Sequence, residues 1–222
     1  MTCPRHPLAA VHAGHCGACL LEDAFTGPGG SVAGFDRALT IQMPLGESPN
    51  SAVFLVREQG PHARLLRLKT WRVPAPPGFL AAFERLRTRL RACRADGIDV
   101  PDAATIDGIG RGLVLSGFRQ GLPIVGQVRS GRIHLDDAIA LLRRLGAAAG
   151  EAHAAGLVHE SVGPGNVIAD GRTGYLLDFG LTTLACGPGP VPPAARGDLD
   201  GFAALERMVR ESADRPAAPP AV

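Results

Sequence analysis

Alternation of apolar and polar side chains over residues 38–44, 52–57 and 64–71 predicts three successive antiparallel strands. From Gly78 the period lengthens. Phe79, Phe83, Leu86, Leu90 and Cys93 recur at steps of four and three, the mark of a helix with one buried face. Cys93 reads there as a small apolar core residue rather than a reactive thiol. Residues 112–118 form a short apolar run, read as a buried strand. Residues 136–155 predict a long alanine-rich amphipathic helix carrying Ile139, Leu142, Leu145 and His153, stopped by Gly156. His153 reads as packed or capping, not catalytic. A Gly/Pro-rich stretch at 187–193 separates this region from a last helix over about residues 197–211, and the Pro/Ala-rich tail from Ser212 reads as disordered.

Length and composition set the frame for these elements. A chain of 222 residues with 45% apolar content is long enough for one medium domain with a buried core and a small appendage. A formal net charge of +2 supplies no field for nucleic acid or an anionic membrane, so neither is expected as a partner. The opening residues lack the apolar stretch of a secretory signal, and no run approaches the roughly 20 apolar residues of a membrane-spanning helix. A cytoplasmic location is therefore expected, and the Ala, Arg, Gly and Pro content fits a GC-rich bacterial coding sequence.

Residues 1–25 read as a separate unit, because three of the five cysteines and three of the seven histidines fall there. Cys3 and His6 form one pair with two residues between, Cys16 and Cys19 another, and nine residues separate the pairs. Two such knuckles can each present two ligands to one tetrahedral Zn²⁺, with His12 and His15 as alternates. Four protein ligands leave no open coordination position for water, so the expected zinc is structural. A segment this short cannot bury a core, and the metal would supply its folding energy, on the order of 10 kcal/mol. The spacing resembles zinc-ribbon or B-box-like knuckles, which brace a neighbouring domain or bind a partner. Residues 26–37 read as linker.

One cation stands apart. Of the 23 basic side chains the sole lysine is Lys69, at the end of the third predicted strand. A lysine holds phosphate as a compact point charge, a task the planar guanidinium does not duplicate. Downstream come His159-Glu-Ser-Val-Gly-Pro-Gly-Asn166 and, twelve residues on, Asp178-Phe-Gly180. With Lys69 upstream, these motifs resemble the protein kinase family over about residues 38–210, whose catalytic loop is His-Arg-Asp with an Asn five residues later, followed by Asp-Phe-Gly.

The resemblance implies an α+β, two-lobed kinase-like fold. Residues 38–118 would form the first lobe and hinge, 119–211 a truncated second lobe, and 212–222 the tail. It implies ATP with Mg²⁺, the ion held by Asn166 and Asp178 and the phosphates by Lys69, with Glu84 as the carboxylate paired to that lysine. An exposed helical pair of Glu84 with Arg87 or Thr88 is the alternative. Leu115 would guard the inner pocket, the backbone of Ser116 to Phe118 would face the base, and Asp198 would brace the catalytic loop. The glycine-rich hairpin, G-x-G-x-x-G-x-V in the family, would span residues 46–53 and end on Val53. Only Gly46 remains of its glycines, Ser48 and Ser51 replace the others, and their hydroxyls are expected to make up part of the loss.

The catalytic loop departs further. Ser161 stands at the position of the base, Glu160 replaces the preceding arginine, and Gly163 replaces the lysine two places later. Loss of a general base costs about 10² to 10⁴ in rate. The expectation is a nucleotide- and Mg²⁺-binding pseudokinase acting as a scaffold or allosteric partner of a protein or peptide. The alternatives are a small phosphotransferase using Glu160 as base or substrate-assisted chemistry, acting on a small molecule or tethered peptide, and a binding module working through the zinc knuckle.

Overall fold

The computed structural model describes residues 11–12, 15–16, 32, 34–61, 63–93, 95–171, 173–186 and 195–214. The fold is mixed α/β with antiparallel sheets, and the chain divides into two compact units, Met1–Phe83 with Pro101–Phe118, and Glu84–Val100 with Arg119–Val222. Residues 84–100 cluster with the second unit rather than the first, because Leu90 and Ile98 belong to the second unit's core.

The first unit begins with a hairpin of β1 (Val11–His12) and β2 (His15–Cys16), with His12 opposite His15 and Val11 opposite Cys16. Its main body is a five-stranded sheet in the order β3-β4-β5-β7-β6. The strands are β3 (Leu39–Glu47), β4 (Ser51–Glu58), β5 (Leu65–Pro74), β6 (Ala103–Ile106) and β7 (Arg111–Gly117). Four of them lie where alternation or apolarity predicts them. The edge strand β6, Ala-Ala-Thr-Ile, is too short and too little patterned to be visible beforehand.

Strand alternation sorts the sheet's side chains. Phe54 pairs with Leu68 and Leu68 with Leu115, and these residues pack with Val56, Leu66 and Leu113 into an apolar core on one face. Val32 and Phe35 join that core, and the Val32 N–H donates to the Leu39 carbonyl at 3.0 Å, so part of the segment expected as linker is packed structure. On the other face Trp71 meets Phe79 edge-on, with ring centroids 6.2 Å apart. Gly112 lies under the same phenylalanine, whose ring a Cβ there would approach to 2.6 Å.

The second unit is built around α3 (Leu135–Ala154), the predicted long helix, with α2 (Ile124–Arg129) before it. The latter half of α1 (Phe79–Cys93), the small sheet β8 (Leu122–Pro123), β9 (Val167–Asp170) and β10 (Thr173–Leu176), and the helices α4 (Leu181–Cys186) and α5 (Ala195–Ala213) complete it. Leu141, Leu142, Leu145, Ala148, Ala149 and Ala152 of α3 form one buried stripe, and each fully buried leucine contributes about 1.5–3 kcal/mol. Gly156, at φ 70, turns the chain out of α3 in the left-handed conformation a side chain would resist. The expected stripe of α1 is present too: Phe79, Phe83 and Leu90 are buried, and Leu86 and Cys93 pack against the core. Among the described residues no helix is long and apolar enough to cross a membrane.

Candidate functional site

Strand register decides what accompanies Lys69 in the first unit. Lys69 lies opposite Val53 on β4 and Val114 on β7, and its ammonium sits 5.6 Å from the centroid of the Trp71 ring, within cation–π range. One ladder step away, Arg67 lies opposite Leu55 and Ser116. Leu115, expected to guard a pocket beside Lys69, points instead into the apolar core of the opposite face and is fully buried. The parity of β7 allows nothing else, since neighbouring residues of a strand face opposite ways. The residues of β7 on the lysine's face are Gly112, Val114 and Ser116, all buried. Phe118 donates its N–H to the Leu65 carbonyl at 3.2 Å, one rung beyond the Leu66–Gly117 pair.

The β3–β4 turn, where the glycine-rich hairpin was expected, is stitched by side chains. The Ser48 hydroxyl accepts from the N–H groups of Asn50 (3.3 Å) and Ser51 (3.1 Å) and lies 3.0 Å from the Ser51 hydroxyl. The Ser48 N–H donates to the Ser51 carbonyl at 2.8 Å. From β5, Arg72 donates through Nε to the Ser48 carbonyl at 3.2 Å and through Nη2 to Glu47 at 3.0 Å. The hydroxyls expected to replace missing glycines are thus engaged within the turn itself. Gly46 has no positive φ and open space beyond its Cα, so nothing in the fold requires glycine there.

In the second unit the loop 159–166 and the segment 177–180 come together around His159, which is fully buried. Its Nε2 lies 2.7 Å from the Leu177 carbonyl and its Nδ1 3.2 Å from the Ser161 N–H. A carbonyl only accepts and an N–H only donates, so the ring carries its proton on Nε2. Phe179 packs edge-on against the same imidazole, centroids 5.2 Å apart. Asp198, in the first turn of α5 and 1% exposed, receives the N–H of His159 (2.7 Å) and of Glu160 (2.8 Å), and lies 2.8 Å from His153 Nε2. His153 is therefore packed, as its place on α3 suggests.

Asn166 donates through Nδ2 to the Ser161 carbonyl at 2.7 Å, which leaves Oδ1 as its acceptor atom. The Asn166 carbonyl in turn accepts the Leu177 N–H at 2.8 Å, tying the two segments together. Asp178 is buried at φ 65 and, with Glu160 at φ 74, is one of the two non-glycine residues among those described that hold a positive φ. Such backbone strain gathers where a fold fixes a side chain for use. Two oxygen donors of this kind suit Mg²⁺, which takes one or two protein ligands and completes its shell with phosphate and water. Gly180 lets Leu86 approach, since a Cβ there would lie 2.9 Å from its methyl group.

Two expected roles meet a different arrangement. The Glu160 carboxylate accepts from the Thr183 N–H at 2.7 Å and from the Thr183 hydroxyl, so it is directed at the start of α4. Ser161 stays exposed beside it. The Glu84 carboxylate accepts from Arg87 at 2.6 Å, an (i, i+3) pair with the acid about half exposed, which is the helical alternative to a bond with Lys69. Arg67 and Thr183 carry no motif and escape a reading by pattern. The parity of Arg67 with Lys69, two residues apart on one strand, is the signal that could have found it.

Of the proposed zinc ligands Cys3, His6 and Cys19 lie outside the described residues, and Cys16 is described only as part of β2. Among the described residues no group of three or more His, Cys, Asp or Glu side chains is gathered for a metal ion. No protein-family model matches this chain, and no curated protein matches its sequence.

Proposed function

We propose that this chain is a protein-kinase-like nucleotide-binding protein, a pseudokinase that takes ATP with Mg²⁺ and serves as a scaffold or allosteric partner with weak or no phosphoryl transfer. Lys69 holds phosphate, and Asn166 and Asp178 hold the ion. The observation that carries the reading is the loop framed by Asp198 and His159: Asn166 is turned with its oxygen available and Asp178 is held at a strained φ beside it. Ordinary turns do not need a buried carboxylate collecting two backbone N–H groups. Transfer to an outside hydroxyl is disfavoured because Ser161 has no basic function and Glu160 is bound to Thr183.

Residues 1–25, with structural Zn²⁺ on Cys3, His6, Cys16 and Cys19, are proposed as the contact for a protein or peptide partner. The test is calorimetric titration of zinc-loaded protein with Mg-ATP, followed by an assay for ADP. Binding without ADP, weakened at least about tenfold by Lys69→Met or Asp178→Ala, is the expected result. No binding at all removes the proposal.

A second reading draws on the Glu160 contact. Thr183 donates its hydroxyl proton to a carboxylate, the relation of a nucleophile to its base. Thr183 Oγ1 would attack the terminal phosphorus of ATP, the proton would pass to Glu160, and ADP would leave. A mass gain of one phosphate on Thr183, absent in Glu160→Gln, would favour this over the binding-only reading.

A further inference from the structure

We infer that the second unit carries a cleft for a small organic cation, an ammonium group on an apolar stem, along the flank of α3 that bears Leu141, Leu145 and Ala148. The cleft holds about 460 Å³, within the range of small-molecule sites, and lies wholly inside that unit. The two leucines and Ala148 form its apolar floor. Two glycines let the opposite wall close on this floor: a Cβ on Gly174 of β10 would run into Leu141, and one on Gly97 would stand 2.6 Å from a Leu145 methyl. The wall is one piece, because the Leu176 N–H donates to the Gly97 carbonyl at 2.8 Å and the Asp99 N–H to the Leu176 carbonyl at 3.0 Å. Tyr175 completes it. Arg119, held to Asp99 at 2.9 Å, covers one face of that ring at 4.8 Å from its centroid.

Charge sets the class of ligand. Two acids, Asp96 and Glu151, line the cleft against one cation, Arg144, which leaves the lining a formal charge of −1. Arg144 is engaged within the fold, whereas among the described residues neither carboxylate meets a donor. Seven residues, about 10 Å along the axis of α3, separate Arg144 from Glu151, so the guanidinium does not neutralise that acid. An anion entering the cleft would meet like charge, and a neutral apolar molecule would gain the floor alone. An amine gains both, its stem lying on the leucines and its charge reaching the carboxylates at the rim. The inference stands apart from the nucleotide reading, since Lys69, Asn166 and Asp178 take no part in the cleft.

The test titrates the full chain with hexylammonium, hexanol and hexanoate, three ligands of one length and different charge, and follows backbone amide shifts by NMR. Hexylammonium is expected to move the amides of Gly97, Ala148 and Tyr175 and to bind about tenfold tighter than hexanol, with hexanoate the weakest. Both carboxylates are exposed, so Asp96→Asn or Glu151→Gln alone should weaken hexylammonium only about threefold and the two together about tenfold, while hexanol is unchanged. Thr173→Phe, which fills the cleft from its exposed rim, should weaken hexylammonium and hexanol alike, with thermal melting to confirm that each variant is folded. Hexanoate binding as tightly as hexylammonium, a folded double variant that binds hexylammonium as wild type does, or no shift at these amides with any of the three overturns the inference. So does a short lysine-bearing peptide that binds more than about tenfold tighter than hexylammonium, since the cleft would then be a peptide dock.

Discussion

The turn 47–51 and the loop 159–166 both depart from the motifs they resemble, and the structure treats the two departures differently. In the loop the backbone is held by Asp198, which grips the N–H groups of His159 and Glu160 and is indifferent to the side chains they carry. In the turn the backbone is shaped by side chains, Ser48 within it and Arg72 from β5. A frame that holds the backbone through its N–H groups tolerates side-chain exchange that a frame built on side-chain bonds does not. The loop is accordingly expected to keep its form when its own side chains are exchanged, and the turn is not.

The sharpest way to break this contrast is to remove the grip. Asp198→Ala strands two backbone N–H groups and one imidazole nitrogen at a site 1% exposed, and is expected to cost about 3–5 kcal/mol in urea unfolding. Amide exchange at His159 and Glu160 should quicken together. A loss under about 1 kcal/mol would mean that the loop is held by something else.

Next in size is the seat of the loop on α5. A Cβ at Gly201 would stand 2.7 Å from the Val162 carbonyl oxygen, which is backbone and cannot swing aside. Gly201→Ala is expected to cost about 1–3 kcal/mol, whereas Gly46→Ala, with open space and no positive φ, should stay within about 0.5 kcal/mol. Equal costs at the two positions, read from denaturation midpoints, would erase the contrast.

What could be read from sequence follows the same division. Strands β4 and β5 and helices α1 and α3 were legible because their apolar positions repeat at a regular period over enough residues, β3 from the alternation of its sequence and β7 from its apolar run. Helices α2 and α4, of six residues each, and the four-residue strands β9 and β10 offer too few repeats. The identity of Lys69, Asn166 and Asp178 as candidates was legible from order along the chain. Which face Leu115 takes was not, since that depends on which residue of β5 pairs with it, and a ladder shifted by one would have turned it toward Lys69. Glu84 carried the same difficulty, because a helix offers an acid a neighbour at (i, i+3) whatever lies across from it.

Arg72 tests the turn from the other side. Its side chain is 5% exposed and joins Glu47 to the Ser48 carbonyl, so Arg72→Met should cost about 1–2 kcal/mol. Exchange at the Ser48 and Ser51 amides should rise while that of His159 stays slow. Acceleration at His159 as well would show that the turn and the loop do not fail separately.

The smallest expected effect lies on α5 itself, whose first turn carries Asp198. Farther along, Arg210 donates to Glu206 at 2.6 Å across one helical turn and, with Arg143 at 3.8 Å adding to it, holds that carboxyl below the usual range. The folded form therefore releases this proton more readily than the unfolded chain does. The contribution is fully present above the unfolded carboxylate pKa and disappears as pH falls through the lower folded value. An exposed (i, i+4) pair contributes only about 0.3–0.5 kcal/mol, so the urea midpoint of Glu206→Gln should fall slightly below wild type at neutral pH, and the gap should close in acid. A gap that persists in acid would mean the pair acts through packing instead of charge. On one helix, then, the same kind of carboxylate is expected to differ about tenfold in weight, because Asp198 meets backbone groups that have no water to turn to and Glu206 meets a cation that does.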